Sequence, residues 1–266
     1  MPSQPTFLAY DIESSGLDAD KHEILSIAMM LLDINLEEVD RKLIYALPKR
    51  IEDADAKALE INGYDFGIWT ERGAVTQEEM FEEIKYFLRN RSWLRQIAHN
   101  HRFDERFLKA LYARYGQDLP RLYNDTFSFH ALDTIALAIF TDVALQGRMR
   151  KGYGLAAMAE TYSIENRAAH SAMEDVECMV ECLRAMVRTV REAANIKPKP
   201  IEPAMNGILK CLDKDKDIWI FARGKHAGKM SYQVLDEDRQ YLAFVLGFPD
   251  LAPLQRSHLL ALVEKK

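Results

Sequence analysis

The sequence predicts a layered fold of the α/β or α+β class, a mixed β-sheet flanked by helices. Three observations predict it: strand-like apolar runs come first, strand and helix patterns then alternate, and a long helical pattern ends this part of the chain. The 266 residues suffice for one large domain with a small appendage, and 48% hydrophobic with 29% charged residues excludes disorder as the main state.

The elements follow in order. Thr6 to Glu13 is short and apolar and ends at the turn cluster Ser14-Ser15-Gly16. Ile24 to Ile34 reads as a buried strand and Leu43 to Leu47 as a third. Met80, Phe81, Ile84, Phe87 and Leu88 share one helical face, with Thr76 as N-cap and Glu79 three residues later as its capping-box partner. Gln96 to Ala98 reads as a short strand leading into an amphipathic helix, Phe103 to Tyr115. A long helix, roughly Ser171 to Ala194, closes this part, with Cys178, Cys182, Met173, Met179 and Met186 as core fillers.

Ile196 to Pro203 carries three prolines in eight residues and cannot continue that helix. Residues 203–266 hold ten basic and eight acidic side chains, net +2, against net −8 for residues 1–202. The expected layout is therefore a domain over 1–195, a linker over 196–203 and a small module over 204–266. Within the module, Ile218 to Phe221 reads as a strand, followed by a tight turn from Gly224 to Lys229. Lys225 and Lys229, with Arg223, are candidates to hold a nucleic-acid backbone; a solvated hairpin turn is the alternative. Asp213 to Asp217 resembles a calcium loop only superficially, since Ile218 and Gly224 stand where glycine and glutamate are needed.

The overall charge of −6 argues against passive coating of nucleic acid but not against an enzyme acting on a polyanion, because carboxylates that hold cations add negative charge. The longest apolar runs, such as Ile27 to Leu32, are too short to span a bilayer, so no membrane partner is expected. The first residues lack the basic stretch and apolar core of a signal peptide. Three cysteines cannot all pair, which points to a reducing, cytoplasmic setting.

The residues that carry chemistry begin with Asp11-Ile12-Glu13. On a strand, Asp11 and Glu13 project from one face, and two adjacent carboxylates repel unless a proton or cation lies between them. Hard oxygen ligands suit Mg²⁺ or Mn²⁺. Asp104, in His99-Asn100-His101-Arg102-Phe103-Asp104, falls in the first turn of a helix; alone, it is an aspartate favoured by the helix dipole. His170 and Asp175 span little more than one helical turn, so both can face one cleft. Each signal alone is weak.

Together, and in this order, they resemble the DEDDh 3′→5′ exonucleases, a family with a ribonuclease-H-like fold. The likeness runs over Phe7 to Leu17, His99 to Leu108 and His170 to Asp175, with Asp133-Thr134 and Gly154-Leu155 matching further family segments. It covers roughly residues 5–190. The C-terminal run Gly224 to Lys229, ahead of Tyr241 to Leu246, is similar to the small module of exonuclease X-like proteins. Two departures bear on substrate detail: Ser14-Ser15 stands where many members have threonines, and His101-Arg102 where small or apolar residues are common.

The resemblance implies two divalent cations, Mg²⁺ or Mn²⁺, held by Asp11, Glu13, Asp104 and Asp175. Asp11 bridges, Glu13 and Asp175 share the cation that holds the water, and Asp104 serves the second. His170 is the implied general base; its ordinary pKa of about 6.5 suits proton removal near neutrality. Leu17 and the backbone of Ser14, Ser15 and Gly16 are implied to seat the terminal nucleotide, with Glu13 accepting a hydrogen bond from its 3′ hydroxyl. Asn100 either shapes that pocket or is a structural amide. The expected activity is release of nucleoside monophosphates from single-stranded or frayed 3′ ends, DNA favoured. The alternatives are an exoribonuclease and a proofreading or repair-complex subunit that acts by binding a protein partner.

Overall fold

A computed structural model describes residues 5–89, 91, 93–116, 119–146, 150–165, 171–195, 208–213, 216–222, 224–247, 251 and 253–264. The five-stranded sheet is built from β1 (Phe7–Ser14), β2 (Ile24–Leu32), β3 (Glu38–Tyr45), β4 (Leu94–Ala98) and β5 (Phe127–Asp133), in the order β3-β2-β1-β4-β5. β2 runs antiparallel to both β1 and β3, while β4 is parallel to both β1 and β5, so the sheet is mixed. All nine residues of β2 are buried, as expected for a strand covered on both faces.

The helices of this part are α1 (Ala56–Ile61), α2 (Phe66–Glu71), α3 (Gln77–Phe87), α4 (His101–Tyr115), α5 (Leu119–Thr126), α6 (Thr134–Gln146), α7 (Leu155–Tyr162) and α8 (Ala172–Ala193). Strand alternation divides the core. Leu8, Tyr10 and Ile12 of β1 pack with Met80, Phe81 and Ile84 of α3 and Phe107, Leu108 and Leu111 of α4. Ala9 joins Met158 of α7 and Val176, Met179, Val180 and Leu183 of α8 on the other face. Asp11 and Glu13 alternate with Ile12, so they share the α8 face of β1.

The capping box at α3 forms as the spacing predicts. Glu79 N–H donates to Thr76 Oγ1 at 3.2 Å, and Thr76 N–H donates to Glu79 Oε2 at 2.8 Å. Such a cap contributes about 1 kcal/mol. Cys178 and Cys182 are buried on the core face of α8, where burial pushes the Cys182 thiol up to about 12.

Three expectations need correction. The third strand begins at Glu38 rather than Leu43, because the edge strand β3 exposes much of its length and carries charges where a buried strand carries apolar residues. α4 begins at His101, two residues before the expected start, at a left-handed Asn100 with φ 65°. The structure adds α1, α2, α5, β5, α6 and α7, which the sequence pattern does not delimit. α6 is apolar on nearly every side, so no helical period stands out in its sequence.

The chain divides into two units, Met1–Asn90 with Leu94–Lys199, and Arg91–Trp93 with Pro200–Lys266. The second contains a hairpin of β6 (Leu209–Asp213) and β7 (Ile218–Phe221) and the helices α9 (Ser231–Glu237), α10 (Arg239–Leu246) and α11 (Pro253–Glu264). Leu209, Trp219, Phe221, Val234, Leu242, Val245 and Leu259 form its core. A tight turn follows β7, with Gly224 at φ 87° and Gly228 at φ 86°. No described helix is long and apolar enough to cross a membrane.

Candidate active site

β1 delivers two carboxylates and α8 a third. Oxygens of Asp11, Glu13 and Asp175 lie within 4.8 Å of one another, and each residue is partly buried. Among the described residues this is the one such cluster with metal-ligating spacing. Asp175 sits in the first turn of α8, where the helix dipole favours a negative charge.

Asp104 approaches from α4. β4 partners β1 only over Phe7, Leu8 and Ala9, and beyond that register the Ile12 N–H donates to Asp104 Oδ1 at 3.0 Å. Asp104 is thus anchored on the residue between Asp11 and Glu13, and it is 2% exposed. Burial, then the charges of Asp104, Glu13 and Asp175, hold the Asp11 carboxyl well above the usual carboxylate range. Burial also raises Asp104, against the lowering by the Ile12 N–H. Four carboxylates so placed lack a counter-charge among themselves. Asp11, Glu13 and Asp175 are hard oxygen donors on one spot, the donor type a divalent cation takes, and the Ile12 N–H holds Asp104 beside them.

The turn after β1 is tied by hydrogen bonds. Ser14 Oγ donates to Gly16 O at 2.7 Å, and Ser15 Oγ accepts the Glu23 N–H at 2.9 Å. Asn62, at the end of α1, donates from Nδ2 to Ser14 O at 2.8 Å, and the Asp55 N–H donates to Ser15 O at 2.8 Å. Both serine hydroxyls therefore make hydrogen bonds within the loop itself. Leu17 projects from this frame with 74% of its surface exposed. Glycine is required at 16 by a close approach: a Cβ there would lie 2.5 Å from the His22 ring. His22 Nδ1 in turn accepts the Asp18 N–H at 2.9 Å. Gly16→Ala should push the ring aside and shift the Leu17 loop. The expected result is a roughly tenfold rise in KM for an oligonucleotide with Mn²⁺ binding unchanged, the scale of a pocket displaced by a fraction of an ångström; a wild-type KM would remove the loop from the substrate site.

Asn100 is exposed, and its side chain does not cap α4; its carbonyl accepts the Phe103 N–H at 2.9 Å. His170 lies outside the described residues, as does Arg223. In the second unit, Lys225 Nζ contacts Asp238 Oδ2 at 2.6 Å, and Lys229 pairs with Glu237. Lys225 and His226 hold the Asp238 carboxyl down to about 2. The two lysines of the expected basic turn are therefore matched by carboxylates. Asn62, His22 and Asp55 brace the loop after β1 but carry no signal in the sequence, because each acts across a turn or from another element.

The exonuclease family matches residues 8–183. Ribonuclease T of Haemophilus ducreyi is 27% identical over 197 residues, covering 68% of this chain and 85% of that protein. The PolC-type DNA polymerase III of Thermotoga petrophila is 25% identical over 246 residues, which is 92% of this chain but 16% of the polymerase. Among solved structures, E. coli Exonuclease I in complex with a dA16 oligonucleotide superposes with a TM-score of 0.56 at 18% identity. That match covers 72% of this chain and 42% of that one, so the chain spans less than half the length of the solved structure.

Proposed function

The chain belongs to the exonuclease family, the DEDDh 3′→5′ nucleases of ribonuclease-H-like fold, and from that premise we propose that it releases nucleoside monophosphates from DNA 3′ ends. The observation that carries this reading is the carboxylate cluster, three side chains within 4.8 Å and a fourth anchored on Ile12. Asp11, Glu13, Asp104 and Asp175 would hold Mg²⁺ or Mn²⁺. Bound there, two divalent cations relieve charge on the phosphoryl and leaving oxygens and acidify a water.

The chain's own residues do the rest. His170 takes the proton from the attacking water, a step worth about 10²–10⁴-fold for a well-placed base. Leu17 packs against the terminal base, and the braced backbone of Ser14 to Gly16 fixes the sugar. Glu13 accepts from the 3′ hydroxyl. A narrow seat of this kind admits a single-stranded or frayed end without reading sequence, because stacking and backbone contacts tolerate any base.

The second reading is a 3′→5′ exoribonuclease, favoured by relatives named Ribonuclease T, whereas the DNA reading is favoured by the oligonucleotide complex of the structural neighbour. A purely binding subunit of a proofreading or repair complex has no need of five intact catalytic positions. Matched DNA and RNA single strands, each with a 3′ hydroxyl or a 3′ phosphate, decide among these. Faster release from DNA with a free 3′ hydroxyl supports the proposal; preference for RNA moves the assignment to the second reading. Binding without cleavage of either leaves the third.

The C-terminal unit is proposed to add affinity for the backbone through Lys225 and Lys229, which would exchange their carboxylate partners for phosphates. Replacing both by Ala should reduce the slope of log K against log salt by about one per lysine. An unchanged slope removes them from the interface.

A further inference from the structure

Helix α4 carries Asp104 but does not cap its own N-terminus. A helix leaves its first N–H groups without partners, and Asn100, the residue before α4, gives no side-chain bond to them. The His101 N–H instead donates to Asp133 Oδ2 at 3.0 Å. The other oxygen of the same carboxylate caps α6, accepting the Ile135 N–H at 2.9 Å and the Ala136 N–H at 3.4 Å. One carboxylate therefore serves two helix N-termini, both of which favour a negative charge.

The next residue ties the same junction. Thr134 is fully buried, with its Oγ1 2.9 Å from His99 Nδ1 and 3.4 Å from Ala98 O. Ala98 and Asp133 are paired at the ends of β4 and β5. From His101 it is three residues along α4 to Asp104, whose oxygen rests on the Ile12 N–H between Asp11 and Glu13. A movement of the first turn of α4 moves Asp104 with it.

We propose that Asp133 is a positioning residue for the reaction: it fixes the start of α4 and thereby holds the Asp104 carboxylate in the cation-binding cluster. The proposal rests on the cation reading above. Asp133 itself touches neither cation nor substrate in this account. Both of its oxygens are needed as acceptors, so an amide must set its NH₂ either against the His101 N–H or against the Ile135 and Ala136 N–H groups. A serine hydroxyl can still cap α6 but is too short to serve His101 as well.

The test compares wild type, Asp133→Asn and Asp133→Ser in the full chain. Mn²⁺ binding is measured by calorimetry, and kcat, KM and the half-saturating Mn²⁺ concentration on an oligonucleotide. Thermal unfolding is followed alongside. Both variants should show at least a tenfold rise in half-saturating Mn²⁺ and at least a tenfold fall in kcat, since misplacing a reacting group by about 1 Å can cost 10²-fold. KM should stay within threefold. Asp133→Ser should keep a melting temperature close to wild type and so carries the test if Asp133→Asn is too unstable. Wild-type Mn²⁺ affinity and kcat in the folded Ser variant would overturn the proposal, as would a lowered melting temperature with unchanged Mn²⁺ affinity. Asp11→Ala is titrated in parallel: undiminished Mn²⁺ binding there would overturn the cation reading itself, and this proposal with it.

Discussion

Asp11→Asn should lower cation-dependent hydrolysis by about 10³-fold while raising the melting temperature of the metal-free protein. Asp11 stands against Glu13, Asp104 and Asp175, and burial and those charges hold its carboxyl well above the ordinary range. An unfolded chain ionises this group near pH 4, whereas the metal-free fold keeps the proton to higher pH. Over that window the unfolded state binds fewer protons, so this group's contribution to stability falls as pH rises. Above the window the penalty is complete. In chelator, wild type should therefore lose stability from pH 5 to pH 8 more steeply than Asp11→Asn.

Added Mn²⁺ should reverse the order, because binding to the folded state alone stabilises it by mass action. The catalytic loss follows from several kcal/mol of charge stabilisation withdrawn from the transition state, each 1.36 kcal/mol being about tenfold in rate. The measurements are melting curves with chelator and with Mn²⁺, and turnover on a labelled oligonucleotide. Equal melting curves for the two proteins in chelator would mean that the carboxylates do not strain the fold.

His170→Ala should keep Mn²⁺ binding and lose about 10²–10⁴-fold in kcat, the range for removal of a general base. His170 immediately precedes Ser171, the N-cap residue of α8, and Asp175 lies in the first turn of that helix. The acid limb of the kcat profile should flatten in the variant, because the group whose deprotonation it reports is gone. Calorimetry with Mn²⁺ separates a base from a ligand. A variant that no longer binds Mn²⁺ would make His170 a ligand.

The sequence made the carboxylate cluster legible because its members lie on short local patterns. A strand alternates faces, so Asp11 and Glu13 had to share one, and the structure places both with Asp175. The first-turn position of Asp104 was equally readable, as was the Thr76–Glu79 cap of α3. What could not be read acts between distant segments. The Ile12 N–H that anchors Asp104 is ninety-two residues away from it in the chain. Asn62, His22 and Asp133 look like ordinary surface, turn and cap residues until the sheet brings their partners together. α6 was illegible for a different reason: a helix apolar all round gives no period to detect. Lys225 and Lys229 showed their charge in the sequence but not the carboxylates of α9 and Asp238 that meet them.

The most direct measurement of the central claim is the product ladder from a 5′-labelled single-stranded oligonucleotide with Mg²⁺ or Mn²⁺, run beside chelator and Asp175→Ala. The expected result is a ladder that shortens one nucleotide at a time from the 3′ end, absent in chelator and in the variant. A ladder that persists in Asp175→Ala, or that starts from the 5′ end, would contradict it.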